Sequence, residues 1–287
     1  MKNPGSNPIN LVWSYSRSVL LRSCPRAFYF EQAEPENASR IPRSQPLRSI
    51  VGSAVHEAIA LEIGAWASGR PVSLQRAEKN AAEKIEEAWF RKEDRITEAM
   101  NGMQVSDGLY ERLDRAARSR LRTFFRMLWP HFSGQTYVMH ERLDSFDLEG
   151  IRIRVQVDLA TRSKGGEFVI SDWKTGMELD PELTDLQMGI YALWASAGMG
   201  ERLDEVITQV VNLRTGQLAR RSPDTDLLAR VGSQLGIEAQ ETAPPLRKDF
   251  FKPLPALEKC LACRFLRRCP EGGREVSRYQ TPLDTTL

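Results

Sequence analysis

Four cysteines fall near the two ends of a 287-residue chain, with none between. Cys24 stands alone near the start; Cys260, Cys263 and Cys269 form C-x2-C-x5-C near the end. Three thiols at close spacing and one distant partner make a four-ligand set with none left over. Four thiolates suit Zn²⁺ or a [4Fe–4S] cluster. Structural zinc usually uses two C-x2-C knuckles and this chain has one, so a lone cysteine closing a site with a C-terminal triple fits an iron–sulfur cluster better. Pro270 directly follows Cys269, a placement common after a last cluster ligand. The alternatives are a zinc staple or thiols that bind nothing. If all four bind one group, the chain closes a loop of more than 200 residues.

The compartment supports a metal over disulfides. The start, MKNPGSNPINL, carries no apolar leader, and no run approaches 18 apolar residues. A cytoplasmic, reducing location is expected, where clustered cysteines are metal ligands more readily than disulfides.

Charge is segregated like the cysteines. Lys plus Arg is 40 against 38 Asp plus Glu, a net +2 that excludes a histone-like polycation. Yet residues 1–48 hold seven basic and three acidic side chains, and residues 246–269 hold seven and two. If the chain ends meet, these segments form one basic surface; if not, they are two solvated faces. Hydrophobic residues at 41% and charged residues at 27% argue against disorder.

Periodicity gives the order of elements. Ser14 or Ser16 can cap a helix running through Val19–Leu21, and Pro25 can open a second. Residues 33–48 read as loop. Val51, Val55, Ile59, Ile63 and Trp66 make a helical stripe over 50–67, and 74–100 and 107–129 read as two further helices. Tyr137–Asp147, Ile151–Ala160 and Glu167–Lys174 read as three strands of a meander, turned at Gly150 and at Gly165-Gly166. Residues 184–197 read as a helix, Glu205–Leu213 as a strand and 224–240 as a helix. The expected class is α/β, with a helical insertion before the sheet.

One charged constellation lies on those strands. Residues 151, 153, 155, 157 and 159 alternate as Ile, Val or Leu, which places Asp158 on the opposite face with Gln156, Arg154 and Arg152. Asp172 and Lys174 are two apart and point the same way. Two aspartates offer oxygen ligands to Mg²⁺ or Mn²⁺. A neighbouring ammonium can orient an attacking water or neutralise charge on a phosphate. The alternative is an exposed Asp–Lys pair on a sheet edge. Gln187 and Tyr191 share a helix face beside the stripe Leu186, Ile190, Leu193 and Trp194, so they either reach into a cleft or form a surface pair. His56 sits at the edge of its helix's apolar stripe, as a boundary histidine or as a ligand for the same site.

Six segments resemble a known family, in its order and across nearly the whole chain: WSYSRSVLLRSCPRAFYF, GSAVHEA, VQVDLA, SDWKTG, QMGIYA and CLACRFLRRCP. The resemblance is to PD-(D/E)XK nucleases of the RecB-like, iron–sulfur branch. Within it, the likeness is to CRISPR-associated RecB-family exonucleases and the nuclease domain of AddB-type proteins. The resemblance implies a restriction-endonuclease-like core with a C-terminal iron–sulfur region. It implies His56, Asp158, Asp172 and the Trp173 backbone carbonyl as metal ligands and Lys174 as the catalytic lysine. Gln187 and Tyr191 match the family's Q-x3-Y motif, and Cys24, Cys260, Cys263 and Cys269 match its cluster ligands. Val155 stands where a glycine often occurs, a packing change on the face away from Asp158. Trp173 replaces a commoner tyrosine.

The expected organisation is an N-terminal segment with one cluster cysteine (1–48), a helical region with the histidine motif (49–135), the nuclease core (136–245) and the cysteine segment (246–287). The expected activity is metal-dependent hydrolysis of DNA, as a single-stranded exonuclease in repair, recombination or CRISPR adaptation, in company with protein partners and no membrane. Arg22, Arg26, Tyr29, Arg264, Arg267 and Arg268 are the candidate DNA contacts. The rival is a non-catalytic DNA-end-binding or adaptor subunit, against which the intact Asp–Asp–Lys set speaks.

Overall fold

A computed structural model describes residues 11–33, 47–90, 108–176, 180–243 and 245–279. The short strand β1 (Leu11–Ser14) leads into α1 (Tyr15–Ser23), where Ser14 Oγ accepts the Arg17 amide at 3.3 Å as an N-cap. Helix α2 (Pro25–Ala33) opens on Pro25 as expected. Helix α3 (Leu47–Ala67) is long and apolar enough to cross a membrane, but half of that stretch is buried. It packs with α4 (Leu74–Phe90) and α5 (Leu109–Thr123), and α5 runs on through a π turn (Phe124–Leu128) and a last turn, Trp129–Phe132. The far end of the expected 74–100 helix lies outside the described residues.

The three-strand meander is not what forms. The expected strand 137–147 is two strands, β2 (Thr136–Met139) and β3 (Leu143–Leu148). The expected strand 151–160 is also two, β4 (Ile151–Gln156) and β5 (Leu159–Arg162). Strands β3 and β4 form a hairpin turned at Gly150, φ +82°, in a sheet ordered β1-β4-β3. Strands β2 and β5 belong to a second sheet, ordered β2-β5-β6-β7-β8, with β6 (Phe168–Lys174), β7 (Val206–Asn212) and β8 (Leu218–Arg221). One long hairpin therefore leaves one sheet and enters the other, both arms bending at the same level. The Glu141 amide ties the bends by donating to the Val157 carbonyl at 2.9 Å. The alternation exposed–buried holds through Gln156 and then fails, because Val157, Asp158 and Leu159 are all buried at the crossing.

Both faces of the larger sheet are covered. Leu159, Trp173 and Val211 pack with α3, α4 and α5. Ala160, Phe168, Ile170, Val206 and Val210 pack on the other side with α6 (Pro181–Leu193) and α7 (Thr225–Glu241), and with Ile151, Ile153 and Val155 of the smaller sheet. Strands β6 and β7 run parallel, joined through α6, and Lys174 pairs with Asn212 at their C-terminal edge. That edge of a parallel pair is where ligand sites form in open α/β sheets. The tail ends in α8 (Leu257–Leu261) and α9 (Pro270–Ser277) beside the N-terminal helices.

Candidate active site

The two bends and the end of β6 converge on one pocket. Its lining includes His56 of α3, Glu141 and Asp158 of the bends, Asp172, Trp173 and Lys174 of β6, and Gln187 and Tyr191 of α6. Because β6 alternates, Asp172 and Lys174 share the face of Phe168 and Ile170, the face on which α6 lies.

Helix α6 fixes Asp172. Gln187 Nε2 donates to Asp172 Oδ1 at 2.8 Å, and the Tyr191 hydroxyl lies 3.0 Å from the same oxygen. The Lys174 ammonium donates to Gln187 Oε1 at 2.6 Å and sits 2.7 Å from Asp172 Oδ2. The Gln–Tyr pair is thus buried rather than superficial, and Gln187 bonds both the carboxylate and the ammonium. Asp172 Oδ2 is buried, and the Lys174 ammonium is its charged neighbour.

Across the pocket, Asp158 Oδ2 accepts the Trp173 amide at 2.6 Å, and its Oδ1 lies 3.3 Å from His56 Nδ1. Ligand atoms of His56, Glu141 and Asp158 all lie within 4.8 Å of one another. Glu141 was absent from the sequence expectation. Its signal was there: it breaks the stripe Tyr137, Met139, Leu143 at a place the alternation would bury. Its backbone takes φ +45°, the left-handed region that the bend demands. Asp172 stands apart from this triad, turned to Lys174. The Trp173 ring packs against Phe124 and Phe132, away from the chemistry.

The electrostatics are those of a cation site. Burial pushes the Asp172 and Glu141 carboxyls above their usual range, and the charge of Asp158 pushes both further. Burial opposes protonation of His56, but the Asp158 carboxylate and its hydrogen bond outweigh that and take the imidazole up to about 9. Asp172 likewise outweighs burial at Lys174 and holds it as the ammonium. Crowded oxygens with raised affinity for protons fit a hard divalent ion, which relieves the same repulsion.

The cysteines also converge. Cys24, Cys260, Cys263 and Cys269 line one cavity of about 270 Å³, floored by Ala27, Phe30 and Phe265. All four are free thiols. Burial pushes the Cys263 thiol up to about 11, and the other three cysteines add to it. Gly272 lies against the thiols: a Cβ there would be in contact with both Cys260 Sγ and Cys269 Sγ, at 3.5 Å. The Glu271 carboxylate lies beside them, 3.6 Å from Cys269 Sγ.

The described parts of the two end segments therefore meet, but several of their basic side chains are engaged. Arg22 pairs with Glu238 at 3.1 Å, Arg26 donates to the Phe251 carbonyl at 2.8 Å, and Arg264 pairs with Glu31. Tyr29 meets Phe30 edge-on and Phe251 at a tilt, and Arg268 lies over Phe30. Arg267 follows in the short 3-10 turn, Leu266–Arg268.

The model of the PD-(D/E)XK nuclease superfamily matches residues 12–270. A solved structure, "Crystal structure of SSO0001", is similar over 64% of this chain and 80% of that one, at 16% identity and a TM-score of 0.29. None of the curated proteins matches.

Proposed function

The chain belongs to the PD-(D/E)XK nuclease superfamily, and on that premise we propose that it is a metal-dependent deoxyribonuclease of the RecB-like, iron–sulfur branch that trims single-stranded DNA from an end. The observation that carries the reading is the pocket in which His56, Glu141 and Asp158 face the Asp172–Lys174 pair. His56, Glu141, Asp158, Asp172 and the Trp173 carbonyl are the candidate ligands for Mg²⁺ or Mn²⁺. Such an ion would polarise a phosphodiester and lower the pKa of a bound water.

The chain's own residues do the rest. The Lys174 ammonium, fixed between Asp172 and Gln187, places positive charge where negative charge develops on the phosphate and orients the attacking water. Gln187 and Tyr191 are positioning residues, since both act by holding Asp172 Oδ1. Cys24, Cys260, Cys263 and Cys269 would hold a [4Fe–4S] cluster that fastens the two chain ends. Service in repair, recombination or CRISPR adaptation, with protein partners, belongs to the same proposal.

The test is purified protein with single and double strands labelled at either end, in Mg²⁺, Mn²⁺ and EDTA. Shortening of single strands from one end, abolished by EDTA, supports the reading. Binding without cleavage under every condition overturns it in favour of an adaptor.

A further inference from the structure

Lys174 is followed by Thr175 and Gly176, which line the rim of the same pocket. At that rim Arg120 of α5 donates from Nε to the Thr175 carbonyl at 3.1 Å and from Nη1 to Ala116 at 2.8 Å. The β7–β8 turn arrives at the same place. Asn212 pairs with Lys174, and the Leu213 amide donates to the Lys174 carbonyl at 2.8 Å. Asn212 Oδ1 then accepts the amides of Arg214 and Thr215 at 2.9 and 3.0 Å, which fixes the start of the Arg214 side chain. Gly216, at φ +77°, presses the turn onto α5 and its continuation: a Cβ there would lie 2.8 Å from Met127 Cε and 3.5 Å from Thr123 Cγ2. Thr123 and Met127 follow Arg120 on α5 and its π continuation, so the turn that carries Arg214 packs against the same helix as Arg120.

The neighbours on α5 behave differently. Arg118 pairs with Asp114 at 2.7 Å and Arg122 with Glu78 at 2.8 Å. Neither Arg120 nor Arg214 has a carboxylate ion-pair partner among the described residues. Partial burial lowers the pKa of Arg120, and the charge of Arg214 lowers it further. Two guanidiniums that repel one another near a site for a polyanion are relieved by an anion that both can reach.

We propose that Arg120 and Arg214 form a backbone-phosphate clamp that grips the DNA strand where it passes the Thr175 rim, next to the scissile phosphate. This rests on the nuclease reading above and adds a binding subsite to it. Arg120 brings a partly ordered guanidinium and Arg214 an exposed one, so the pair can take one phosphate jointly or two in succession.

The test uses the full chain, a labelled single-stranded oligonucleotide and Ca²⁺, with affinity measured across a salt series. Each single-strand phosphate contact contributes a slope of about −0.7 in log K against log salt. Arg214→Gln should make the slope shallower by about 0.7 and weaken binding about 5-fold at 0.1 M salt, which is that slope over one decade. Adding Arg120→Gln should deepen the loss, to about 25-fold if two phosphates are held. Arg122→Gln, on the same helix but paired with Glu78, should leave the slope unchanged. An unchanged slope in Arg214→Gln, or the same loss in Arg122→Gln, overturns the clamp while the nuclease reading stands. Wild-type protein that neither binds nor cuts single strands overturns both. Arg214 is exposed, so its variant decides the matter even where Arg120→Gln lowers stability through the Thr175 bond.

Discussion

The carboxylate pocket and the cysteine pocket gather chemistry from distant parts of the sequence in opposite ways. The first is built into the main core: its strands carry Phe168, Ile170 and Trp173 in the two large apolar clusters, and its polar atoms are paired among themselves. The second rests on a satellite cluster whose buried members are Ala27, Phe30 and Phe265. Its four thiols have one another for neighbours, and burial raises Cys263 and Cys269 toward the neutral form. A site tied into a core keeps its shape without its ion. A site at the junction of two chain ends, with little buried area of its own, would draw its order from the metal group proposed for the thiols.

That contrast can be broken at several points. The largest effect belongs to the carboxylate pocket. Asp172→Ala or Lys174→Ala should cost roughly 3 kcal/mol of transition-state stabilisation, at least about 100-fold in cleavage rate, with little change in melting temperature. An activity within a factor of two of wild type in either variant would remove Asp172 and Lys174 from the chemistry. Cys24→Ser comes next. It should bleach absorption near 400 nm, open the 246–269 tail to protease and weaken single-strand binding roughly 10-fold, while the sheets stay folded. Wild type should hold about four irons per chain. One zinc and no iron would change the cofactor and keep the staple; an intact tail in the serine variant would end the contrast.

A smaller effect separates contact from position. Tyr191→Phe removes one of the two side-chain donors near Asp172 Oδ1 and should lower the rate about 10-fold, near 1.4 kcal/mol. Gln187→Ala should cost more, since Gln187 touches both Asp172 and Lys174. Equal rates for wild type and both variants would make the pair a packing feature.

The smallest effect is a pH dependence in EDTA. The folded pKa of His56 is raised to about 9 from 6.5, so its ion pair with Asp158 stabilises the fold fully below pH 6.5. That stability is lost as pH rises through about 9. The melting temperature of the metal-free protein should fall over this interval more than that of His56→Asn. Parallel curves would show that the pair does not couple to folding.

Several elements were legible because local chemistry decides them. Ser14 caps α1, Pro25 opens α2, and Gly150 turns a hairpin, each for a reason confined to a few neighbouring residues. The strand bearing Asp172 and Lys174 was legible too, since period-two alternation sets which side chains share a face. The bend was not. Alternation from Ile151 to Leu159 is unbroken in sequence, yet the chain changes sheets at Asp158, because Asp158 and Glu141 lie where the two sheets part. Burying Val157, Asp158 and Leu159 together is a choice that only packing on both sides can make.

The sequence by itself determined the residue types of both sites, the spacing of the cysteines and the segregation of charge. These follow from composition and short-range periodicity, and they limit what chemistry the chain can hold. Tertiary structure alone decided that Glu141 joins His56 and Asp158, that Gln187 and Tyr191 are buried on Asp172, and that Arg22, Arg26 and Arg264 are held by partners within the protein. It also set Arg120 on the Thr175 carbonyl and packed the turn that carries Arg214 against the same helix. The physical reason is range. Hydrogen bonding to the next turn and alternation along a strand act over a few residues, whereas an ion pair or a coordination set depends on which surfaces are brought within a few ångströms, and that is settled by the packing of the whole core.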